Sequence, residues 1–115
     1  MNYVSLRNEI ESKGYFTIIE DDPELGHRLV CASKRRPEGG YMGNSFWIAF
    51  RSSRWYLGTW GSRVYEFLDN QQIVELCIHL LKDENSGPLS EITSEVMNDY
   101  CLKRISERSY RKLGG

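Results

Sequence analysis

The residues with the strongest chemical character are the tryptophans, tyrosines and arginines between positions 44 and 67. This segment, NSFWIAFRSSRWYLGTWGSRVYEF, holds all three tryptophans of the chain. Aromatic side chains on a sheet can stack on bases or grip a peptide, and arginine adds charge and cation–π contacts. Tryptophan, tyrosine and arginine also dominate protein interfaces. The segment therefore indicates a binding surface and identifies no reaction.

The pairing of the strands in this segment decides which side chains share a face. With Ser52-Ser53 as a two-residue hairpin loop, Arg51 lies opposite Arg54. Two facing arginines count against this register, because like charges opposite one another are destabilising. The same register places Trp47 opposite Gly58, a pairing in which the ring covers bare backbone.

One face of the paired strands, here called the mixed face, combines aromatic rings with arginines. A second tight turn at Gly61-Ser62 extends it onto the following strand. The opposite face, with Phe46, Ile48 and Leu57, is apolar and belongs to the core. Alternatively, the mixed face has no binding role and is covered by the N-terminal helix or by a second subunit. The aliphatic parts of the arginine side chains would then lie over the rings. The predicted binding residues are those of the mixed face: Trp47, Arg51, Arg54, Tyr56, Trp60, Arg63 and Tyr65.

Other charged groups have simpler explanations than catalysis or ligand binding. Lys34-Arg35-Arg36 could receive a phosphate, but the glycines after it match neither a P-loop nor a dinucleotide-binding loop. Glu75, His79 and Asp83 recur at helical spacing and could ligate a metal, yet this is also the polar side of an amphipathic helix. Turn chemistry accounts for the acidic residues 21–24. We therefore predict no metal site and no cofactor.

Composition favours a cytoplasmic globular protein. The 115 residues predict a single domain spanning 1–115, with 40% hydrophobic and 27% charged residues. Cys31, Cys77 and Cys101 are odd in number and widely spaced, which predicts reduced, buried thiols. No apolar run is long enough for a membrane span, and the first residues lack the pattern of a signal peptide.

Charge is segregated along the chain, although the net charge is only −1. Residues 27–63 carry seven basic and one acidic side chain, and residues 103–115 carry five and one. The other two segments are acidic, so the predicted strands and tail are positive and the predicted helices negative. Two oppositely charged layers of one fold would attract each other. The overall acidic balance, with an isoelectric point near 6.1, counts against nucleic acid as the partner.

Hydrophobic periodicity predicts a helix, about five strands, and then two or three helices. Residues 2–13 form a helix that Gly14 ends, and strands follow at 15–20 and 27–34. Asp69 caps the second helix, which Asn85 to Pro88 ends, and Ser90 and Ser106 cap later ones. Short turns between strands make an antiparallel meander, which with terminal helices gives a two-layer α+β fold. The stripe of the second helix, which must pack on the apolar face, is Ile73, Leu76, Cys77, Leu80 and Leu81.

Several strings in the chain resemble a family of short uncharacterised bacterial proteins that has no assigned activity. Two of them are Gly43-Asn44-Ser45-Phe46-Trp47-Ile48 and Trp55-Tyr56-Leu57-Gly58-Thr59-Trp60 with Tyr65 after it, and a third is the helical pair Leu76-Cys77. The ending from Tyr100-Cys101-Leu102 to Ile105-Ser106 is also similar, and the family commonly has glycine at the cysteine position. The resemblance covers about the last seventy residues. It implies a shared fold and carries over no site residue.

The leading hypothesis is a small non-enzymatic protein-interaction module, of a regulatory, immunity or defence-accessory kind, that binds a protein partner through the mixed face. The alternative is a nucleic-acid-binding protein that uses the same face together with the basic residues 28–36 and 103–112. An enzyme ranks third because no nucleophile–base pair or metal quartet is visible. A homodimer through an edge strand or the mixed face stays open, and no membrane partner is expected.

Overall fold

One antiparallel sheet organises the chain, which this computed structural model describes over residues 1–23, 26–82 and 87–114. Each strand pairs with the next strand along the chain, so the sheet is a meander. The predicted α+β meander is confirmed, with six strands rather than about five. The strands are β1 (Phe16–Asp22), β2 (Gly26–Arg35), β3 (Tyr41–Arg51), β4 (Arg54–Gly58), β5 (Val64–Phe67) and β6 (Leu102–Ile105).

Four α-helices complete the described part of the chain: α1 (Tyr3–Ser12), α2 (Ile73–Leu81), α3 (Ser94–Asp99) and α4 (Glu107–Arg111). Ser106 caps α4 as predicted, its hydroxyl accepting a hydrogen bond from the Ser109 amide. Asp69 caps a 3₁₀ turn that precedes α2. The cap predicted at Ser90 is wrong, because Thr93 precedes α3 and its hydroxyl accepts a hydrogen bond from the Val96 amide. The second helix was predicted to end at Asn85 to Pro88, and Asn85 and Ser86 lie outside the described residues.

The strand β6 is an addition to the strands predicted from the sequence. Leu102 pairs with Phe67 and Ile105 with Val64, which places β6 at the edge of the sheet beside β5. Two charged residues separate Leu102 from Ile105, so the segment lacks the alternation that identifies a half-buried strand.

The main core lies between one face of the sheet and the helices α1 and α2. Leu6 and Ile10 of α1 are fully buried there. The stripe of α2 packs on the predicted face of Phe46, Ile48 and Leu57, which confirms that assignment. Leu80 of that stripe is only half-buried. Burial of this apolar face is the main force that holds the helices on the sheet.

The hairpin of β3 and β4 has the predicted register. Arg51 pairs with Arg54 and Trp47 pairs with Gly58. Ser52 and Ser53 both have positive φ, 50° and 64°, as the central residues of a type I′ hairpin turn require.

The predicted turn between β4 and β5 is wrong by one residue. The Thr59 amide donates to the Arg63 carbonyl at 2.9 Å, so the loop has three residues, 60–62, instead of the two at Gly61-Ser62. A shift of one residue inverts the faces of a strand. Tyr65 therefore pairs with Leu57 and lies in the main core instead of on the mixed face.

The cysteines are all free thiols, as predicted, but they differ in burial. Cys31 and Cys77 are buried in the main core, whereas Cys101 is exposed, contrary to prediction. Cys101 has φ 54°, a conformation that glycine adopts without steric cost. No helix in the described ranges is both long and apolar enough to cross a lipid bilayer.

Candidate binding pocket on the outer face

The sheet face opposite α1 and α2, here called the outer face, is largely covered by the C-terminal end of the chain. Tyr110 of α4 is fully buried against it, with its ring centroid 5.4 Å from that of Trp47 and 5.2 Å from that of Tyr56. Trp47 and Tyr56 are both 3% exposed as a result. A helix does cover much of the predicted mixed face, but it is the C-terminal one, since α1 packs on the other side of the sheet.

The two facing arginines of the hairpin diverge to different partners. Arg51 donates from Nε to the Leu113 carbonyl at 2.9 Å and lies 5.0 Å from the centroid of the Tyr110 ring. Arg54 donates to the Glu66 carboxylate at 2.6 Å. This carboxylate raises the pKa of the exposed Arg54 guanidinium. Each arginine thus has its own stabilising contacts, so the two like charges can lie opposite one another in this register.

A wide, shallow depression of about 460 Å³ adjoins Arg54 and the start of the 3₁₀ turn. Of its charged residues, Arg54 and Glu66 already pair with each other, and the Asp69 carboxylate accepts a hydrogen bond from the Gln71 amide. This depression therefore presents a satisfied ion pair.

A smaller and more enclosed pocket lies where the end of β1, the loop 60–62 and the first turn of α4 meet. Its volume is about 190 Å³. Of the predicted binding residues, the structure brings Trp47, Trp60 and Arg63 together here, and Arg51, Arg54, Tyr56 and Tyr65 are elsewhere. The residues that line the pocket are Asp22, Arg28, Trp47, Thr59, Trp60, Ser62, Arg63, Val64 and Glu107.

Arg28 is the central side chain of this pocket. Its guanidinium carbon lies 5.7 Å from the Trp47 ring centroid and 5.3 Å from that of Trp60, both within cation–π range. The Tyr41 ring stacks on Trp60 at 6.3 Å with an interplanar angle of 19°. Burial, and after it the Glu20 carboxylate, raise the pKa of the Tyr41 hydroxyl. An arginine and three aromatic rings therefore form a continuous stack along the outer face.

The loop 60–62 is held rigidly in place. The Trp60 indole N–H donates to the Ser45 hydroxyl at 2.9 Å, and the Thr59 hydroxyl donates to the Ser90 carbonyl at 2.7 Å. A Cβ atom at Gly61 would stand 2.4 Å from that same carbonyl oxygen, so the loop approaches the backbone of residue 90 too closely for any other residue. The ring of Trp60 is thus positioned by contacts on several sides.

The charges around the pocket are nearly balanced. Arg28 lies 3.2 Å from a Glu20 carboxylate oxygen and 3.9 Å from one of Asp22. Arg63 lies 3.4 Å from the Glu91 carboxylate. The remaining acidic group of the lining, Glu107, pairs with Arg111 at 2.8 Å.

Two N–H groups of the pocket are buried without an acceptor among the described residues. They are the Nε–H groups of Arg28 and Arg63. The Glu91 carboxylate is close to Nε of Arg63, but it lies out of line for a hydrogen bond. Both groups belong to residues that line the pocket, which makes them candidate donors to a ligand.

Arg28 is not one of the individually predicted binding residues and is included only in the basic range 28–36. The sequence does indicate the face on which Arg28 lies, because Arg28, Val30 and Ala32 are alternate residues of one strand and therefore share a face. The position of Arg28 beside Trp47 also requires the register of β2 on β3, in which Val30 pairs with Trp47. That register was not predicted.

Residues 1–23, 26–82 and 87–114 hold no cluster of three or more His, Cys, Asp or Glu side chains that could bind a metal ion. His79 lies 5.6 Å from the Tyr100 ring, and Asp83 is outside the described residues. Comparisons with protein-family models, curated proteins and solved structures find no match to this chain.

Proposed function

We propose that this protein is a small, non-enzymatic protein-interaction module of the bacterial cytoplasm, of a regulatory, immunity or defence-accessory kind. Its binding surface is the pocket around Arg28 with the adjoining side chains of Trp60 and Arg63. The observation that carries this proposal is the burial of Arg28 against two tryptophan rings, with an N–H group that lacks an acceptor among the described residues. Tryptophan and arginine in a preformed pocket are typical of interface hot spots.

The size of the pocket favours a protein partner over a small-molecule cofactor. Its volume of about 190 Å³ is below the roughly 300–1,000 Å³ of most small-molecule sites. A pocket of this size accommodates one side chain or a short stretch of backbone. A partner protein can place such a group in the pocket and cover the surrounding surface at the same time.

The chemistry of the pocket supports binding more than catalysis. Its lining, as far as the described residues form it, contains no histidine, cysteine or lysine. The Asp22 carboxylate lies near the Arg28 guanidinium, and the Glu107 carboxylate pairs with Arg111. The three free thiols support a reducing compartment.

Nucleic acid fits this surface less well. Trp47 and Tyr56 lie beneath Tyr110, so their rings cannot stack on bases. The arginines of the pocket are already paired with carboxylates, which weakens their attraction for phosphate.

Affinity capture of the tagged protein from its native lysate tests the proposal. The lysate is divided into a nuclease-treated and an untreated half, and the captured proteins are identified by mass spectrometry. We expect one discrete protein in both halves. Recovery that disappears after nuclease treatment would replace the proposal with nucleic-acid binding, and recovery of the untagged protein alone would indicate self-association.

A further inference from the structure

We propose that the pocket around Arg28 receives an uncharged amide carbonyl group of the partner, such as the carboxamide of a glutamine or asparagine side chain. This inference rests on the proposed function, because it names the chemical group that the pocket recognises.

The first step is the requirement of Arg28 for an acceptor. Its side chain is only 9% exposed, and its Nε–H has no hydrogen-bond partner among the described residues. A buried donor without a partner is costly, so a ligand that supplies an oxygen atom is favoured. The Nε–H of Arg63, in the same pocket, offers a second donor. A carbonyl oxygen has two lone pairs and therefore the capacity to accept two such hydrogen bonds.

The second step concerns charge. Glu20 and Asp22 lie near the Arg28 guanidinium, Glu91 lies near Arg63, and Glu107 is part of the lining. A carboxylate or phosphate ligand would be repelled by these acidic groups, which already offset the charges of Arg28, Arg63 and Arg111. An uncharged amide can use the same N–H donors without that repulsion.

The third step is the size and rigidity of the pocket. A volume of about 190 Å³ corresponds to about six water molecules at roughly 30 Å³ each, which suits one side-chain amide. Trp60 is fixed by its hydrogen bond to Ser45 and by the Tyr41 ring. A preformed pocket loses little conformational freedom when it is filled.

The test is a titration followed by NMR of the arginine Nε–H and tryptophan Nε1–H signals. The probes are N-acetyl-glutamine-N-methylamide, the matching glutamate compound and the matching norleucine compound, at equal ionic strength. We expect the glutamine probe to shift the Arg28 and Arg63 signals saturably, and the glutamate probe to bind at least several-fold more weakly. The norleucine probe measures the contribution of the backbone amides that all three share.

Two variants assign the effect to the pocket. Arg28→Lys keeps the charge but removes the Nε–H, and should abolish the saturable shift of the Arg63 signal. Arg63→Lys, at a more exposed position, is the second variant if Arg28→Lys does not fold. Arg7→Lys, in an ion pair with Glu11 on α1, is the control and should leave binding unchanged.

Equal or tighter binding of the glutamate probe would overturn the inference in favour of an anion pocket. Absence of any saturable shift in the folded wild-type protein would also overturn it. Either result leaves the capture experiment unaffected, so a discrete protein partner could still be found. Conversely, binding of the glutamine probe without a captured partner would contradict the proposed function alone.

Discussion

The Trp47 indole lies directly over the backbone of Gly58, its partner on the neighbouring strand. A Cβ atom added to Gly58 would stand 1.9 Å from two carbon atoms of the ring. The ring cannot move aside easily, because Arg28 and Tyr110 pack against it and only 3% of Trp47 is exposed. This pair therefore locks β4 to β3 beneath the candidate pocket.

Replacing Gly58 by alanine should strongly destabilise the fold. The new methyl group would force the Trp47 ring out of its site, and overpacking of this kind costs about 2–3 kcal/mol or more. The free energy of unfolding in urea measures the loss. Gly87→Ala is the control, because a Cβ there meets no atom within 4 Å, and it should stay within about 0.5 kcal/mol of wild type. A Gly58→Ala variant as stable as this control would contradict the packing described.

Removing the Tyr110 side chain should uncover the outer face. Tyr110→Ala deletes a fully buried ring that contacts Trp47 and Tyr56, and such a deletion costs about 3 kcal/mol. Tryptophan fluorescence should shift to longer wavelength as Trp47 becomes hydrated. Tyr110→Phe keeps the ring and should lose only about 1 kcal/mol. A Tyr110→Ala protein with unchanged fluorescence and stability would show that α4 does not cover the sheet.

Stability should fall at alkaline pH. Burial raises the pKa of Tyr3 and Tyr110 above the ordinary 10.0, and burial and the neighbouring Cys77 raise that of the Cys31 thiol well above 9.0. As the pH rises through about 9 to 10, the unfolded chain therefore loses protons before the folded one, which favours unfolding. Below about pH 8 these groups are protonated in both states and have no effect. Urea unfolding from about pH 8 to about pH 10.5 tests this, and a constant or rising stability would contradict it.

The three thiols should differ in reactivity. Cys101 is exposed, whereas Cys31 and Cys77 are buried in the main core. A colourimetric thiol reagent should therefore modify one cysteine rapidly in the native protein and all three in denaturant. Cys101→Ser should remove the rapid phase. Rapid modification of more than one native thiol would contradict the burial of the core pair.

The hairpin of β3 and β4 was predictable because two constraints agreed. A two-residue loop at Ser52-Ser53 and the apolar alternation of the strands give the same register. No such agreement between loop length and alternation exists at the next turn, because residues 59–63 are compatible with a loop of either two or three residues. Ser62, with φ 59°, adopts the left-handed conformation of the three-residue loop, and serine gives no signal for it. The extra residue in this loop determines on which face of the sheet Tyr65 lies.

The candidate pocket was only partly predictable. Trp47 and Trp60 follow from the strand pattern. Arg63 was assigned through a turn that is wrong by one residue, and Arg28 reaches the tryptophans through the pairing of β2 with β3. That pairing contains an irregularity between Ala32 and Lys34, close to the loop of residues 36–40, so the sequence alone does not determine the register. The cover over the outer face depends on the five-residue helix α4, which is too short for a periodic signal. Long-range pairings of this kind are set by tertiary packing.

The most direct test of the central claim compares capture by wild-type protein with capture by a Trp60→Ala/Arg63→Ala variant. Trp47 is left intact because it is buried and supports the fold. Circular dichroism first establishes that the variant is folded, and Arg7→Ala on α1 is the control. We predict that the variant loses the partner protein that wild type and control recover. Undiminished recovery by the folded variant would contradict the assignment of the pocket as the binding site.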